Sequence, residues 1–308
     1  MNRPSSLQSP AVLQRALREP FRWRKPQTVR VGEEAELFDS AVPVEWVDRI
    51  FAVMALAPQH TFIVSSGLPE RMRAYLTHPN TPVNIGLAAL QMVGDDLASN
   101  PKSTLGNGIR IKATDINPGA LVPWPLPNVW LGVPITNQSD ANACIPGLLH
   151  TPAALRFVSC EPLLGPVDLK LGWNNDIARW DSKGRELPLR RLDWVLAGGE
   201  CGRDARPVHP DWLRSLRDQC VAADVPFWFM QWGEWIGGRF DRRKGKMICE
   251  PTSNDKSGRI FWTNPGQPKV RLFDEADHYW TNAAARVGKK NAGRLLDGVE
   301  HNGSPLDR

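Results

Sequence analysis

Short strand candidates, most of them continuous apolar runs, alternate with amphipathic stretches along most of this chain, and that alternation leaves few folds open. The candidates are Thr28–Val31, Thr61–Val64, VWLGVPI at Val129–Ile135, ALRFVSC ending at Cys160, LDWVLAGG running to Gly199, and VPFWFM at 225–230. Between the first two, Val44, Val47, Ile50, Phe51 and Met54 recur at helical spacing, with Pro43 suited to the start and Pro58 to the end. Further helices are expected at Pro69–Leu76, about Pro82–Leu97, about Ala141–His150 and Pro210–Ala222. Strands apolar on both faces need cover on both sides, so the pattern predicts an α/β fold with a parallel sheet and helices outside it. An open sheet and a barrel satisfy it equally.

The same reading divides the chain into a lead-in at 1–27, an α/β barrel or sheet region at 28–235, and a basic appendage at 236–308 that reads as small and irregular. The polar stretch NNDIARWDSKGRELPLRR reads as a surface insertion. The 13 Trp against 2 Tyr are expected mainly in packing, where large aromatics contribute most. No run of about 18 apolar residues occurs, which excludes a membrane-spanning helix. The N-terminal residues lack the apolar core of a signal peptide, so a cytoplasmic location is expected.

The five cysteines, Cys144, Cys160, Cys201, Cys220 and Cys249, form no CxxC or CxxxCxxC. Their odd number and scatter fit reduced thiols, and no metal site is expected. HExxH, GxSxG and paired histidine ligands are also missing from the sequence, which argues against a common hydrolase or metalloenzyme.

In parallel α/β folds the functional groups collect at the carboxyl ends of the strands. Three ends are conspicuous here: SCEPLLG with Glu161; AGGECGRDARPVHP with Gly198, Gly199, Glu200, Arg206 and His209; and MQWGEW with Gln231 and Glu234. Together they would suit a ligand carrying amino and carboxylate groups, since carboxylates hold ammonium and Arg holds carboxylate. Each residue also has a plainer reading. Glu161 can accept amides of its own turn, Glu200 and Arg206 can form a structural ion pair, and His209 can start the helix at Pro210. Arg214 and Asp218, four apart on that helix, are expected to pair on its surface.

RFVSCEPLLGPVDL, DWVLAGGECGRDARPVHPDWLRSLRDQC, VPFWFMQWGEW and VGKKNAGRLLDG resemble the phage gene product 37/68 family of phage and prophage proteins. RWRKP, ELFDSAVP, RIFAVMALAPQHTF, LPERM and VWLGV extend the resemblance over roughly Phe21 to Gly298. It implies a radical-SAM-like partial (β/α) barrel with an upstream three-cysteine motif, an iron–sulfur cluster and reductive cleavage of S-adenosylmethionine. The sequence departs from that pattern. Met1–Pro20 supplies no cysteine, and no other cysteines have the spacing that a cluster needs. Gly32, Glu33, Glu34, Ala35 and Glu36 replace Asn-Ser-Met-Ser-Asp, Ser66, Gly67 and Leu68 replace Thr-Lys-Arg, Thr136 replaces Glu, and Met230 replaces Lys.

These departures lead to three functional expectations. The first is a cluster-free pseudoenzyme that binds a small molecule through Glu161, Gly198, Gly199, Glu200, Arg206, His209 and Gln231, with a vestigial S-adenosylmethionine site and no cofactor. The second is an active radical-SAM enzyme, its cysteines encoded upstream of Met1, acting on nucleic acid or a metabolite. The third is a nucleic-acid-binding module using Arg242, Arg243, Lys244, Lys289 and Lys290. The charge balance of 38 basic to 33 acidic residues is too mild to decide for it without a clustered patch. Neither the oligomeric state nor a protein partner can be read from the sequence.

Overall fold

A computed structural model describes residues 16–32, 36–100, 122–171, 179–180, 186–187, 191–241, 243–244, 246–249, 260–262, 270–272 and 280–307. The expected alternation is present. It runs β1 (Thr28–Val31), α1 (Val44–Leu56), β2 (Thr61–Ser65), α2 (Pro69–Thr77), α3 (Thr81–Ser99), β3 (Val129–Pro134), α4 (Gln138–Leu149) and β4 (Leu155–Cys160). A short hairpin, β5 (Arg179–Trp180) and β6 (Glu186–Leu187), precedes β7 (Trp194–Gly198), α5 (Pro210–Ala222) and β8 (Phe227–Gln231). The main sheet has six strands in the order β1-β2-β3-β4-β7-β8. Parallel strands in chain order, joined by helices at every described crossover but β4 to β7, where the described residues form a hairpin, are the connectivity of a partial (β/α) barrel. The chain is therefore a mixed α/β protein with a parallel main sheet and small antiparallel sheets near its C-terminus.

Two compact units divide the chain, Met1–Val133 with Pro146–Arg156, and Pro134–Ile145 with Phe157–Arg308. In the first, β1 pairs with β2 from Thr28↔Thr61 and β2 with β3 from Phe62↔Val129, both parallel. Phe51, Met54, Phe62, Val64, Met72, Ile85 and Leu131 are buried, the inward sides of the periodic stretches. The lead-in is tied down by His60, which is buried beside Trp23. The Gln27 N–H donates to His60 Nδ1 at 3.1 Å, which leaves the proton on Nε2 to reach Pro20 O at 2.9 Å. Asn128 spends its amide on the carbonyls of Met54, Ala57 and His60, fixing the end of α1 to the start of β3. The Tyr75 hydroxyl donates to buried Asp48 at 2.6 Å. Burial raises the carboxyl of Asp48 above its ordinary range, and the Tyr75 bond works against that rise.

In the second unit β4, β7 and β8 are parallel, from Phe157↔Trp194 and Val195↔Phe227. Helix α4 starts three residues before the expected Ala141 because Asn137, just before it, caps it and Asp140 reaches back to hold Thr136. The backbone N–H and hydroxyl of Thr136 both donate to Asp140, and the Asp140 N–H returns to Asn137. Helix α5 matches its expected span and buries Leu213, Leu216 and Cys220. The expected Arg214–Asp218 pair is not formed. Arg214 instead bonds Asp297 and Asp211, while Arg217 bonds Asp297 and Asp218. A carboxylate shared by two guanidinium groups outcompetes a single pair along the helix.

The C-terminal residues are more regular than their composition suggests. Strands β9 (Trp235–Asp241), β10 (Lys246–Cys249), β11 (Ile260–Trp262), β12 (Val270–Leu272) and β13 (Trp280–Arg286) form an antiparallel sheet in the order β11-β10-β9-β13-β12. A one-turn helix α6 (Lys289–Ala292) and the hairpin β14 (Leu295–Leu296) and β15 (Val299–Glu300) come next. Beyond them the chain returns to β8. Phe229 N–H donates to His301 O at 2.9 Å, Gly303 N–H to Phe227 O at 3.0 Å, and Trp194 Nε1 to Gly303 O at 2.8 Å. A side chain on Gly303 would meet Phe227 N at 2.8 Å, so only glycine fits this close approach. Among the described residues no helix is long and apolar enough to cross a membrane.

Candidate functional site

The site residues expected in the second unit lie at the carboxyl ends of β4, β7 and β8. A bulge decides which of them meet. Ala197 pairs with Phe229, but Gly198 pairs with Gln231, so Met230 is the extra residue. One inserted residue turns the side chains beyond it to the opposite face. Here it brings Gln231, rather than Met230, opposite Gly198.

Gln231 Nε2 donates to Glu161 Oε1 at 2.8 Å and to Cys201 Sγ at 3.1 Å. Gly198 makes room for that contact. A Cβ there would lie 3.2 Å from both Cγ and Oε1 of Glu161, tighter than ordinary packing. Gly199 is more constrained, since its Cβ would fall 1.9 Å from Trp232 O. Across from it, Gly233 has φ +80° and would meet Glu200 O at 2.2 Å. Backbone bonds from Gly199 N to Gln231 O (2.8 Å) and from Glu234 N to Glu200 O (3.0 Å) lock the two strand ends together. Glu161 is half-buried and, among the described residues, receives a donor from Gln231 alone, so most of its acceptor capacity is unspent.

Glu200 is spent on its own loop. It accepts the Arg206 backbone N–H at 2.7 Å and the guanidinium through both oxygens at 2.8 Å. The Arg206 bond holds the Glu200 carboxyl below its usual range. His209 starts α5, its Nδ1 accepting the Asp211 N–H at 3.0 Å while its ring stacks on Trp212. The structure thus brings Glu161, Gly198 and Gln231 together and gives Glu200, Arg206 and His209 structural partners. Cys201, exposed at the same strand end, belongs with the first group. Its place directly after Glu200 was the available sign, read above only as one scattered thiol.

In the first unit, the segment after β1 also ends on a carboxylate. Glu36 accepts the Ser66 hydroxyl at 2.7 Å and the Gly67 N–H at 2.8 Å. Ser66 Oγ in turn accepts the Leu68 N–H at 3.0 Å, immediately before α2. Glu36, Ser66 and Gly67, three of the replacements named above, therefore satisfy one another. Glu33, Glu34 and Ala35 lie outside the described residues.

Of the basic residues expected to bind nucleic acid, those described lie beyond the two ends of the C-terminal sheet. In the β9–β13 register Trp235 pairs with Arg286 at one end and Asp241 with Trp280 at the other. Lys289 and Lys290 come just after the first end, and Arg243 and Lys244 just after the second, a strand length of about 20 Å away. Arg242 lies outside the described residues.

Among the described thiols, Cys144 is partly buried. Cys160 and Cys220 are fully buried and burial raises both, Cys220 to about 12, while Cys201 is exposed on a loop. Among the described residues no group of three or more His, Cys, Asp or Glu is placed to hold a metal ion.

Fold and site together define a parallel α/β protein with a carboxylate–carboxamide–thiol cluster at its strand ends. The pattern of the family described as Protein of unknown function (DUF5131) matches residues 4–305, and the chain belongs to that family. No curated protein and no solved structure matches it.

Proposed function

We propose that this chain is a small-molecule-binding protein of radical-SAM-like descent, related to the phage gene product 37/68 proteins, in which cluster chemistry has been lost. The ligand sits at the ends of β4, β7 and β8 and presents an amino group to Glu161. The observation that carries this reading is Glu161 itself, a half-buried carboxylate that, among the described residues, is held by one donor, from Gln231. A carboxylate in that state gains most from a cationic partner. The expected Arg–carboxylate half of the recognition is weaker support, because Arg206 already serves Glu200. A vestigial S-adenosylmethionine site is the first ligand class to test, since its methionine end carries the required ammonium.

Calorimetric titration with S-adenosylmethionine, S-adenosylhomocysteine and methionine tests the proposal. Saturable binding of at least one, lost in Glu161→Gln with an unchanged melting temperature, is the expected result. Equal binding by wild type and variant, or none by either, would overturn it. Iron content after anaerobic reconstitution tests the loss of cluster chemistry separately. About four irons per chain would return the protein to the active radical-SAM reading.

A further inference from the structure

We infer that Arg286, on β13 of the C-terminal sheet, is a positioning residue that holds the loop after β7 and so sets Cys201 against Gln231. Its Nη2 donates to two successive carbonyls of that loop, Gly202 O at 2.9 Å and Arg203 O at 2.6 Å. The guanidinium lies 5.9 Å from the centroid of the Trp235 ring, on the strand that pairs with β13. Two neighbours, at the start of β9, act on the same loop. Glu234 Oε1 accepts the Gly202 N–H at 3.2 Å, and Trp235 Nε1 donates to Ala205 O at 2.7 Å.

The loop needs this external hold. Gly202 has φ +107° and a Cβ placed there would meet nothing within 4 Å, so packing does not fix the turn. Residues 201–204 are all exposed. What fixes it is hydrogen bonding to the sheet on one side and the internal Glu200–Arg206 pair on the other. A planar guanidinium aims its N–H groups in fixed directions, whereas an ammonium on a flexible stem does not. The Arg286↔Trp235 register supplies the anchorage, because it fixes where the guanidinium starts. The C-terminal sheet is therefore part of the machinery of the site, through residues that contact no ligand themselves.

Peptide-resolved hydrogen exchange on the full chain tests this, with iodoacetamide labelling of Cys201 as the readout at the site. In Arg286→Ala, exchange in the loop at 200–206 should rise at least about ten-fold, the factor of one charge-assisted hydrogen bond, since two are lost. Exchange in β7 and α5 should stay as in wild type, and Cys201 should label faster. Added guanidinium ion should reverse both changes, and Arg286→Lys should fall between the two. An unchanged loop, or exchange rising equally in β7 and α5, would show that Arg286 does not position the loop. The link to function rests on the ligand reading above and is separable from it. If wild type binds no ligand, that reading fails, while exchange and labelling still decide whether Arg286 holds the loop.

Discussion

Glu161 and Glu200 come after neighbouring parallel strands, and both are half-buried. Among the described residues, Glu200 receives three donors from Arg206, whereas Glu161 receives one from Gln231. The first carboxylate has been absorbed into the architecture of its loop, and the second has been left with capacity to spare. Position at a strand end is thus a poor guide to function by itself. What separates the two is the sequence around them. An Arg six residues on closes a ring with Glu200, while the cluster around Glu161 is brought together by a bulge seventy residues away.

The strongest way to break this comparison is Gly199→Ala. Its Cβ would collide with the Trp232 carbonyl, which is backbone and cannot step aside. A loss on the order of 4 kcal/mol, or failure to fold, is expected, measured by urea unfolding. Asp297→Asn is a control outside the site. Arg214 and Arg217 hold this partly exposed carboxyl below its ordinary range against the opposing effect of burial. Loss of the shared charge should cost about 1 kcal/mol after screening by solvent, and 1 M salt should shrink the difference.

Glu200→Gln should lower the melting temperature by less, with a defined pH window. The folded pKa of Glu200 is depressed, so its contribution is complete above the unfolded carboxylate pKa of about 4.3. It is lost as pH falls through the lower folded value. The gap between wild type and Glu200→Gln should therefore close in acid, and a gap that widened there would contradict the assignment. The smallest stability effect belongs to Glu161→Gln, within about 0.5 kcal/mol of wild type, because the Gln carbonyl can still accept the Gln231 amide and among the described residues no other donor faces it. A drop as large as that of Glu200→Gln would mean that Glu161 is also architectural.

The parallel strands were legible because most are largely apolar runs. β1 and α5 fall on their expected residues, and β2, β3, β7 and β8 differ by a residue or two at their ends. The C-terminal sheet was not legible, since β9 is glycine-rich and β11 and β12 are three residues each, too short for a period to show. In the site, Glu161 and Gln231 could be named from their place after a strand, and Gly198 and Gly199 from the need for close backbone approach. Their meeting could not be foreseen, because it depends on Met230 being skipped in the pairing with β7. Arg286 was hidden for a similar reason. Read in sequence, it is one basic residue among several, and its two carbonyl partners lie more than eighty positions earlier.

The return of residues 301–303 to β8 has a consequence for how the chain comes off the ribosome. Strand β8 is translated about 70 residues ahead of the segment that occupies its outer edge, an interval of roughly 4–15 seconds at ordinary synthesis rates. Throughout that time the Phe229 amide and the Phe227 carbonyl have no cis partner, and the nascent sheet carries an unsealed strand beside Trp228. An edge of that kind recruits other strands. For this protein the dangerous stage of biogenesis is late, and crowding by sister chains on one message should matter more than crowding after release.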